Sequence, residues 1–245
     1  MKKILLCISL FALSINVSAQ NKIDINAAFN IKERAIQISQ FISYKNESNI
    51  ALDTIYLNDW NNSYSTKNTP LARRFAEEYN TNFHFAKNEE RGFTSITSIT
   101  SNSNVLQFDR LENMPDVIKV NLAQTLQPNE SYTININYLI QLPSSKFTDY
   151  GITSFDEIFL KYWYITPAVF DGTWHYYSNK DLNDLYIPKT DITIQAEFPR
   201  NYLLTSELEL VDTIQKDSTQ SIVLHGKDRI NTKLFLTKFP KFKNV

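Results

Sequence analysis

Apolar and polar side chains alternate with a period of two along much of this chain. The clearest stretch covers residues 132–142, where isoleucine, tyrosine and leucine alternate with threonine, asparagine and glutamine. Such alternation predicts a strand with one buried and one wet face. The same reasoning predicts further strands at 36–44, 118–122, 192–198, 221–224 and 234–239. Pro128 and Asn129 predict a turn at 127–130, because proline fixes φ and asparagine tolerates a tight turn.

A single short helix is predicted at residues 70–79. Thr69 can cap its first turn, and Pro70 suits the first helical position. Leu71, Phe75 and Tyr79 follow at i, i+4 and i+8, so we expect all three on one buried face. A helix of this length is not stable alone and must pack on a sheet. The serine- and threonine-rich stretch at 94–104 is typical of a strand or an edge loop.

The first 19 residues have the pattern of a secretory signal peptide. Lys2 and Lys3 precede an apolar run at 4–15, and a Val-Ser-Ala sequence ends at Ala19. This order predicts cleavage before Gln20 and export to the periplasm, the outer surface or the medium. Cys7, the one cysteine, lies inside the apolar run. The mature chain is therefore expected to lack disulfides and reactive thiols.

Residues 20–245 are predicted to form a single β-domain. They hold 23 basic and 26 acidic residues, a balance that argues against a nucleic-acid-binding face. It also provides no electrostatic attraction to anionic lipid, and no later segment is long and apolar enough for a transmembrane helix. Aromatic residues make up 13% of the sequence, which suits sheet surfaces and a sizeable core.

The sequence shows no motif for catalysis or metal binding. His84, His175 and His225 are widely separated, and no His-Glu-x-x-His motif is present. The four glycines are isolated, which excludes nucleophile-elbow and phosphate-loop motifs. Carboxylate pairs such as Glu89 with Glu90 are typical of a solvated surface. We therefore predict no catalytic residue, no metal ligand and no cofactor in this chain.

Aromatic residues concentrate in two short runs. Tyr162, Trp163 and Tyr164 form the first run, and residues 174–177, which begin with Trp174, form the second. These side chains could form a platform that binds peptide or carbohydrate. They could also be the packed core of a hairpin around residues 171–172. We interpret Tyr162, Trp163, Tyr164 and Trp174 as candidate substrate-binding residues and keep the structural alternative open.

A series of segments, in order along the chain, carries a family resemblance. Two of the segments are LDTIYLNDWNNSY at 52–64 and FHFAKNEERG at 83–92. The others lie at 44–46, 68–72, 143–147, 163–164, 167–171, 174–175 and 199–202. Together these segments cover most of the mature chain, and the series resembles the opening domain of aminopeptidase N-type zinc metallopeptidases, the gluzincin family, from Bacteroidetes-like bacteria.

The resemblance implies a twisted, saddle-shaped antiparallel β-sandwich that precedes a thermolysin-like catalytic domain. In the family, zinc and its ligands lie in that following domain. Zinc is therefore expected only in a catalytic domain outside this chain, and that domain is the expected partner. The chain is either a fragment of such an enzyme or a stand-alone relative.

Position 162 departs from the family pattern. Members usually have Gln before the Trp-Tyr pair and Pro after it, and that Gln contacts the N-terminus of the substrate. Here the two positions hold Tyr162 and Ile165. A phenol lacks the separate donor and acceptor groups of an amide.

Three functional hypotheses follow from these features. The first is a non-catalytic domain of a secreted zinc metallopeptidase that packs on the catalytic domain and shapes its cleft. The second is an exported β-sandwich that binds peptide or carbohydrate on its own. A third, weaker hypothesis is an inactive regulator that docks on a separate peptidase chain.

Overall fold

The computed structural model describes residues 21–181 and 186–239. The predicted signal peptide therefore lies outside the described residues. Within them the chain is mostly β, with several antiparallel sheets and one α-helix, which confirms the predicted mostly-β sandwich. No helix of the described part is long and apolar enough to cross a bilayer.

The largest sheet has eight strands. In spatial order they are β16 (Glu209–Gln215), β17 (Thr219–Arg229), β14 (Thr190–Pro199), β1 (Asn21–Asn30), β2 (Ala35–Lys45), β8 (Ser131–Gln141), β4 (Phe93–Ser101) and β5 (Asn104–Val105). All neighbours are antiparallel except β1 and β14, which pair in parallel with Ile23 opposite Ile192.

Two four-stranded sheets and a hairpin complete the fold. One sheet has the order β15 (Tyr202–Ser206), β18 (Leu234–Lys238), β10 (Ile158–Leu160) and β9 (Gly151–Ile152). The other has the order β11 (Thr166–Pro167), β3 (Leu52–Asn58), β7 (Met114–Leu126) and β6 (Phe108–Leu111). The hairpin joins β12 (Val169–Phe170) to β13 (Trp174–His175), around the predicted turn at 171–172.

The alternating patterns explain which face of each strand is buried. In β8 the buried residues are Ile134, Ile136, Tyr138 and Ile140, all on one face as predicted. Their partners across β2 are also mostly buried isoleucines. Buried side chains from all three larger sheets form one continuous hydrophobic core. Burial of this apolar area is the main term that stabilises such a fold.

The helix α1 (Pro70–Glu77) begins as predicted and ends earlier. Thr69 Oγ1 accepts a hydrogen bond from the Ala72 N–H at 3.2 Å, and Pro70 is in the first turn. Leu71 and Phe75 are buried. The prediction that Tyr79 shares their face is wrong, because the helix has already ended and Tyr79 is 92% exposed with φ of 59°.

Candidate functional site

The structure places the four candidate substrate-binding residues in three different environments. Trp163 and Tyr164 are buried in the core, with 2% and 5% exposure. Tyr162 is half-buried and lines a cavity, whereas Trp174 lies in the hairpin of β12 and β13. The four rings therefore do not share one surface.

Trp174 belongs to a half-buried aromatic cluster beside β3. Its ring centroid lies 5.6 Å from that of Tyr56 and 6.0 Å from that of Tyr44. Tyr56 in turn stacks on Tyr176 at 4.4 Å. The hairpin is held by a 2.6 Å contact between His175 Nε2 and Asp171 Oδ1. The second aromatic run thus packs against tyrosine rings of β2 and β3.

The cavity next to Tyr162 has a volume of about 570 Å³. Seven of its lining residues are aromatic: Trp60, Tyr64, Phe147, Tyr150, Phe159, Tyr162 and Phe235. Five are charged: Lys146, Asp149, Lys161, Asp181 and Lys233. The combination of ring surface with a few charged groups is common in binding sites for small molecules and peptides.

Buried polar side chains fix the loop that carries Tyr162. Gln40 is 1% exposed, and its Nε2 donates to the Ile165 carbonyl at 2.6 Å. The Tyr138 hydroxyl donates to Gln40 Oε1 at 2.5 Å and accepts from the Ile165 N–H at 3.4 Å. Both backbone groups of Ile165 are therefore held from within the core. Because Tyr162 lies three residues away, this arrangement limits how far the loop can move.

Tyr162 itself has a left-handed backbone. Its φ is 52°, a conformation that costs about 1–3 kcal/mol for a non-glycine residue. Asn231 Oδ1 stabilises it by accepting a hydrogen bond from the Tyr162 N–H at 3.1 Å. The Tyr162 ring meets Trp60 edge to face at 5.2 Å. The cavity-lining residues Asp149 and Asp181 share the left-handed conformation, each with φ of 58°. Because aspartate adopts this conformation more readily than tyrosine does, the strain is greatest at Tyr162.

A buried 3-10 turn, Trp60–Tyr64, forms the floor of this region. All five of its residues are buried, although most are polar. Asn61 Nδ2 donates to Thr94 Oγ1 at 3.2 Å, and Asn61 Oδ1 accepts from the Tyr150 hydroxyl at 2.9 Å. The Tyr64 hydroxyl and Thr148 Oγ1 are 2.6 Å apart. These bonds satisfy polar groups that would otherwise be costly to bury.

Asp59, directly before this turn, is a buried carboxylate with a cationic partner. Its side chain is 3% exposed, and its Oδ2 accepts from Arg110 at 2.7 Å. Its Oδ1 accepts from Thr94 Oγ1 at 2.7 Å. A buried carboxylate is tolerated when a cation and hydrogen-bond donors compensate its desolvation. Asp59 therefore anchors the turn to β4 and β6.

Asp116, on β7, connects the core to the far wall of the cavity. It is fully buried, and its Oδ1 accepts from Ser178 Oγ at 2.6 Å. Its Oδ2 accepts from the Asn179 N–H at 2.7 Å. Asn179 lines the cavity and donates from Nδ2 to Ser63 Oγ at 3.1 Å. Burial raises the pKa of Asp116 to about 6, although its hydrogen bonds act in the opposite direction.

Sequence reasoning missed Asp59, Asn61, Asp116 and Asn179. Their signal was weak, because asparagine and aspartate are ordinary loop residues. A sharper sign is the run Asp-Trp-Asn-Asn at 59–62, where polar side chains flank a large aromatic ring directly after a strand. The predicted surface pair Glu89 and Glu90 behaves as expected of a surface group, with Glu90 bonded to Lys146.

The charges of the cavity interact with one another. Burial raises the pKa of Asp181, and nearby Lys161 partly counteracts this effect. The Lys161 ammonium lies 5.2 Å from the centroid of the Tyr162 ring, within range of a cation–π contact. A hydrogen bond from Lys146 lowers the pKa of Glu90. The cavity therefore offers both signs of charge beside aromatic surface.

The described residues contain no group of three or more His, Cys, Asp or Glu side chains placed to hold a metal ion. His175 contacts Asp171, His225 Nδ1 lies 3.5 Å from Thr193 Oγ1, and the ring of His84 packs on Phe85. Each histidine thus has a local structural partner. The cavity can bind and orient a ligand through rings, amides and charges.

Sequence comparisons identify no relative. No protein-family model matches the chain, and no curated protein matches it significantly. Structural comparison is more informative. A two-domain M1 zinc metallopeptidase mutant bound to L-arginine superposes with a TM-score of 0.52 and 8% identity, covering 89% of this chain and 42% of that one.

A mutant M1 zinc metallopeptidase from Deinococcus radiodurans gives the same TM-score of 0.52 and 8% identity, with 89% and 41% coverage. This chain thus spans about 42% of the length of these peptidases. At such low identity the similarity concerns the fold alone. The chain has the fold of the N-terminal part of M1 zinc metallopeptidases, which confirms at the level of the fold the resemblance found in its sequence.

Proposed function

We propose that this chain acts as a non-catalytic domain of a secreted zinc metallopeptidase of the aminopeptidase type. It would pack on a catalytic domain and form one wall of the cleft. The observation that carries the proposal is the shared fold over 89% of the chain, combined with the cavity at Tyr162. Zinc and the residues that activate water would belong to the catalytic domain.

The outer face of the β15–β18–β10–β9 sheet supports this proposal. Phe159 and Phe235 are opposite each other on this face, with their ring centroids 5.5 Å apart. Phe235 is 38% exposed and Leu203 on β15 is 49% exposed. Phe159 and Phe235 also line the cavity. An apolar sheet face that continues into a cavity suits contact with another domain.

The position of Tyr162 defines what the domain would contribute to the cleft. Its strained backbone, its anchor Asn231 and its contact with Trp60 hold the phenol at the cavity wall. We expect Tyr162 to shape the cleft sterically and to provide a ring surface, instead of the amide contact that the family's glutamine makes. A peptide is the expected occupant.

The test combines zinc analysis with an aminopeptidase assay. The full chain alone should bind no stoichiometric zinc and release no N-terminal amino acids. Addition of the chain to a thermolysin-like zinc domain from the same genome should change the KM for peptide substrates. Stoichiometric zinc with turnover by the chain alone would contradict the proposal, and so would unchanged kinetics of the mixture.

The second candidate function is an independent binding module for peptide or carbohydrate. The observation that favours it is the half-buried cluster of Trp174, Tyr56 and Tyr176, whose rings could accept a further stacked ligand. Titration with oligosaccharides, followed by tryptophan fluorescence, tests it. Loss of the response in Trp174→Ala with an intact fold would support this function.

A further inference from the structure

A second cavity, with a volume of about 500 Å³, lies beside the polar side of α1. Pro70, Arg73, Arg74 and Glu77 line it, and their spacing of i, i+3, i+4 and i+7 places all four on one side of the helix. The segment that follows β13 contributes its residues 177, 178 and 180. We call this space the α1 groove. Its volume falls within the range of about 300–1,000 Å³ that is typical of ligand sites.

The α1 groove carries a local excess of positive charge. Arg73, Arg74 and Lys180 line it, and Glu77 is the one acidic residue that lines it in the part of the chain that the structure describes. The mature chain as a whole has the opposite balance, because residues 20–245 hold 23 basic and 26 acidic side chains. The groove is therefore a basic site on an acidic protein.

The basic side chains of the groove are accessible to an anionic ligand. Among residues 21–181 and 186–239, neither Arg73 nor Lys180 has a carboxylate within 4.0 Å. Arg74 pairs with Glu78 at 2.5 Å, and these two side chains are 43% and 48% exposed. A surface pair of this kind stabilises a fold by less than about 1 kcal/mol, so a ligand carboxylate can compete for Arg74.

Both walls of the groove are fixed to the same buried residue, Ser63. The Ser63 carbonyl accepts from Thr69 Oγ1 at 2.7 Å, and Thr69 caps the start of α1. Ser63 Oγ accepts at 3.1 Å from Nδ2 of Asn179, which lies within the opposite wall. Asp116 holds that wall as well, through Ser178 Oγ and the Asn179 N–H. The groove is therefore preformed, which lowers the entropic cost of binding a ligand.

The lining of the groove favours an acidic peptide over a nucleic acid. Guanidinium groups bind carboxylates through paired, charge-assisted hydrogen bonds. Pro70 and Met114 add apolar surface on which a peptide side chain can pack. Glu77 can accept hydrogen bonds from peptide N–H groups, whereas it would repel the dense negative charge of a phosphate backbone.

We propose that the α1 groove binds an acidic peptide segment, with its carboxylates on Arg73, Arg74 and Lys180 and an apolar side chain against Met114. The proposal does not depend on the proposed function, because the α1 groove and the cavity at Tyr162 share no lining residue.

The experiment compares two peptides that differ only in charge. The full chain is titrated with acetyl-Glu-Glu-Leu-Glu-amide and with acetyl-Gln-Gln-Leu-Gln-amide, and binding is followed by NMR chemical shifts. The acidic peptide should bind at least about tenfold more tightly, a difference of about 1.4 kcal/mol. Added salt should reduce this preference, because exposed charges are screened. An oligothymidylate of the same net charge should bind more weakly than the acidic peptide.

Arg73→Gln and Lys180→Gln should each lower the preference about threefold, as expected for an exposed charge pair, and the double variant should lose most of it. Arg200→Gln is the matched control, because Arg200 is an exposed arginine that lines neither the groove nor the cavity at Tyr162, and it should keep the preference. Circular dichroism verifies that each variant is folded.

Four results would overturn the proposal. They are equal binding of the two peptides, absence of binding, a preference that survives the double substitution, and tighter binding of the oligothymidylate than of the acidic peptide.

Discussion

Asp116 Oδ2 accepts a hydrogen bond from the backbone N–H of Asn179 at 2.7 Å. This bond joins a core strand to the cavity wall, and the carboxylate that forms it is fully buried. A buried ionised carboxylate costs free energy unless its partners compensate fully. The pKa of Asp116 is about 6, above the reference value of 3.8, which indicates that its hydrogen-bond partners do not fully compensate the cost of burial.

Replacement of Asp116 should therefore alter the pH dependence of stability. Below pH 3.8 the carboxyl is protonated in both the folded and the unfolded state. Between pH 3.8 and about 6 the unfolded state releases its proton first, so the free energy of unfolding falls as the pH rises. Above pH 6 the loss levels off at about 3 kcal/mol, as two pKa units imply.

Asp116→Asn should remove this loss, because an asparagine can accept from Asn179 N–H and donate to Ser178 Oγ. Urea unfolding at pH 4, 5, 6 and 7 measures the effect. The free energy of unfolding of the variant should rise relative to that of the native chain as the pH rises. Asp109→Asn, at an exposed position of β6, is the control. Parallel pH profiles of Asp116→Asn and the native chain would refute this explanation.

The buried pair of Asp59 and Arg110 should respond differently to the loss of one partner or of both. Arg110→Met leaves the Asp59 carboxylate buried without its cation, which should cost about 3–5 kcal/mol. The double variant with Asp59→Asn should recover part of that loss. Chemical denaturation of the native chain, the two single variants and the double variant gives the coupling free energy between Asp59 and Arg110. The exposed pair of Lys22 and Asp24 is the control, and its coupling free energy should be less than about 1 kcal/mol. Equal coupling free energies in the two pairs would argue against burial as the cause.

Tyr79 occupies a position that suits glycine. The Tyr79 N–H donates to the Ala76 carbonyl and the Asn80 N–H to the Phe75 carbonyl, the bond pattern of a Schellman motif with Tyr79 in the left-handed position. Tyr79→Gly should raise the free energy of unfolding by about 1 kcal/mol, since glycine adopts this φ without strain. Tyr79→Phe, which keeps the side-chain bulk, should leave it unchanged. Thermal unfolding of the two variants and the native chain measures the difference. A glycine variant less stable than the native chain would contradict the assignment of Tyr79 to a strained left-handed position.

Replacement of Trp163 should lower the stability of the fold more than replacement of Trp174. Trp163 is 2% exposed, so Trp163→Ala should cost about 3–5 kcal/mol through lost packing. Trp174 is half-buried, so Trp174→Ala should cost clearly less. Guanidinium unfolding of both variants measures the difference. Similar costs would mean that the two rings have the same structural role.

The sequence predicted those parts of the fold that depend on local patterns. Alternation predicted β8 and the buried face of β2, because each has one wet face, and Thr69 with Pro70 predicted the helix start. The parallel pairing of β1 with β14 was not predicted, since strands about 170 residues apart leave no local signal of their register.

The candidate site was only partly predictable. Position 162 was identified because it departs from a family pattern, and it does line the cavity. Periodicity could not separate buried Trp163 from half-buried Trp174, since both lie in dense aromatic runs. Asp59 and Asp116 were missed because their burial depends on partners 35 to 62 residues away, namely Thr94 and Ser178.

The most direct test measures whether the apolar face of the β15–β18–β10–β9 sheet binds a catalytic domain. Sedimentation of the chain with a thermolysin-like zinc domain from the same genome should give a complex. Phe235→Ser should weaken it at least tenfold, whereas Val105→Ser, at an exposed residue on the far edge of the eight-stranded sheet, should not. Absence of a complex, or equal weakening by both substitutions, would contradict a role as a docking domain.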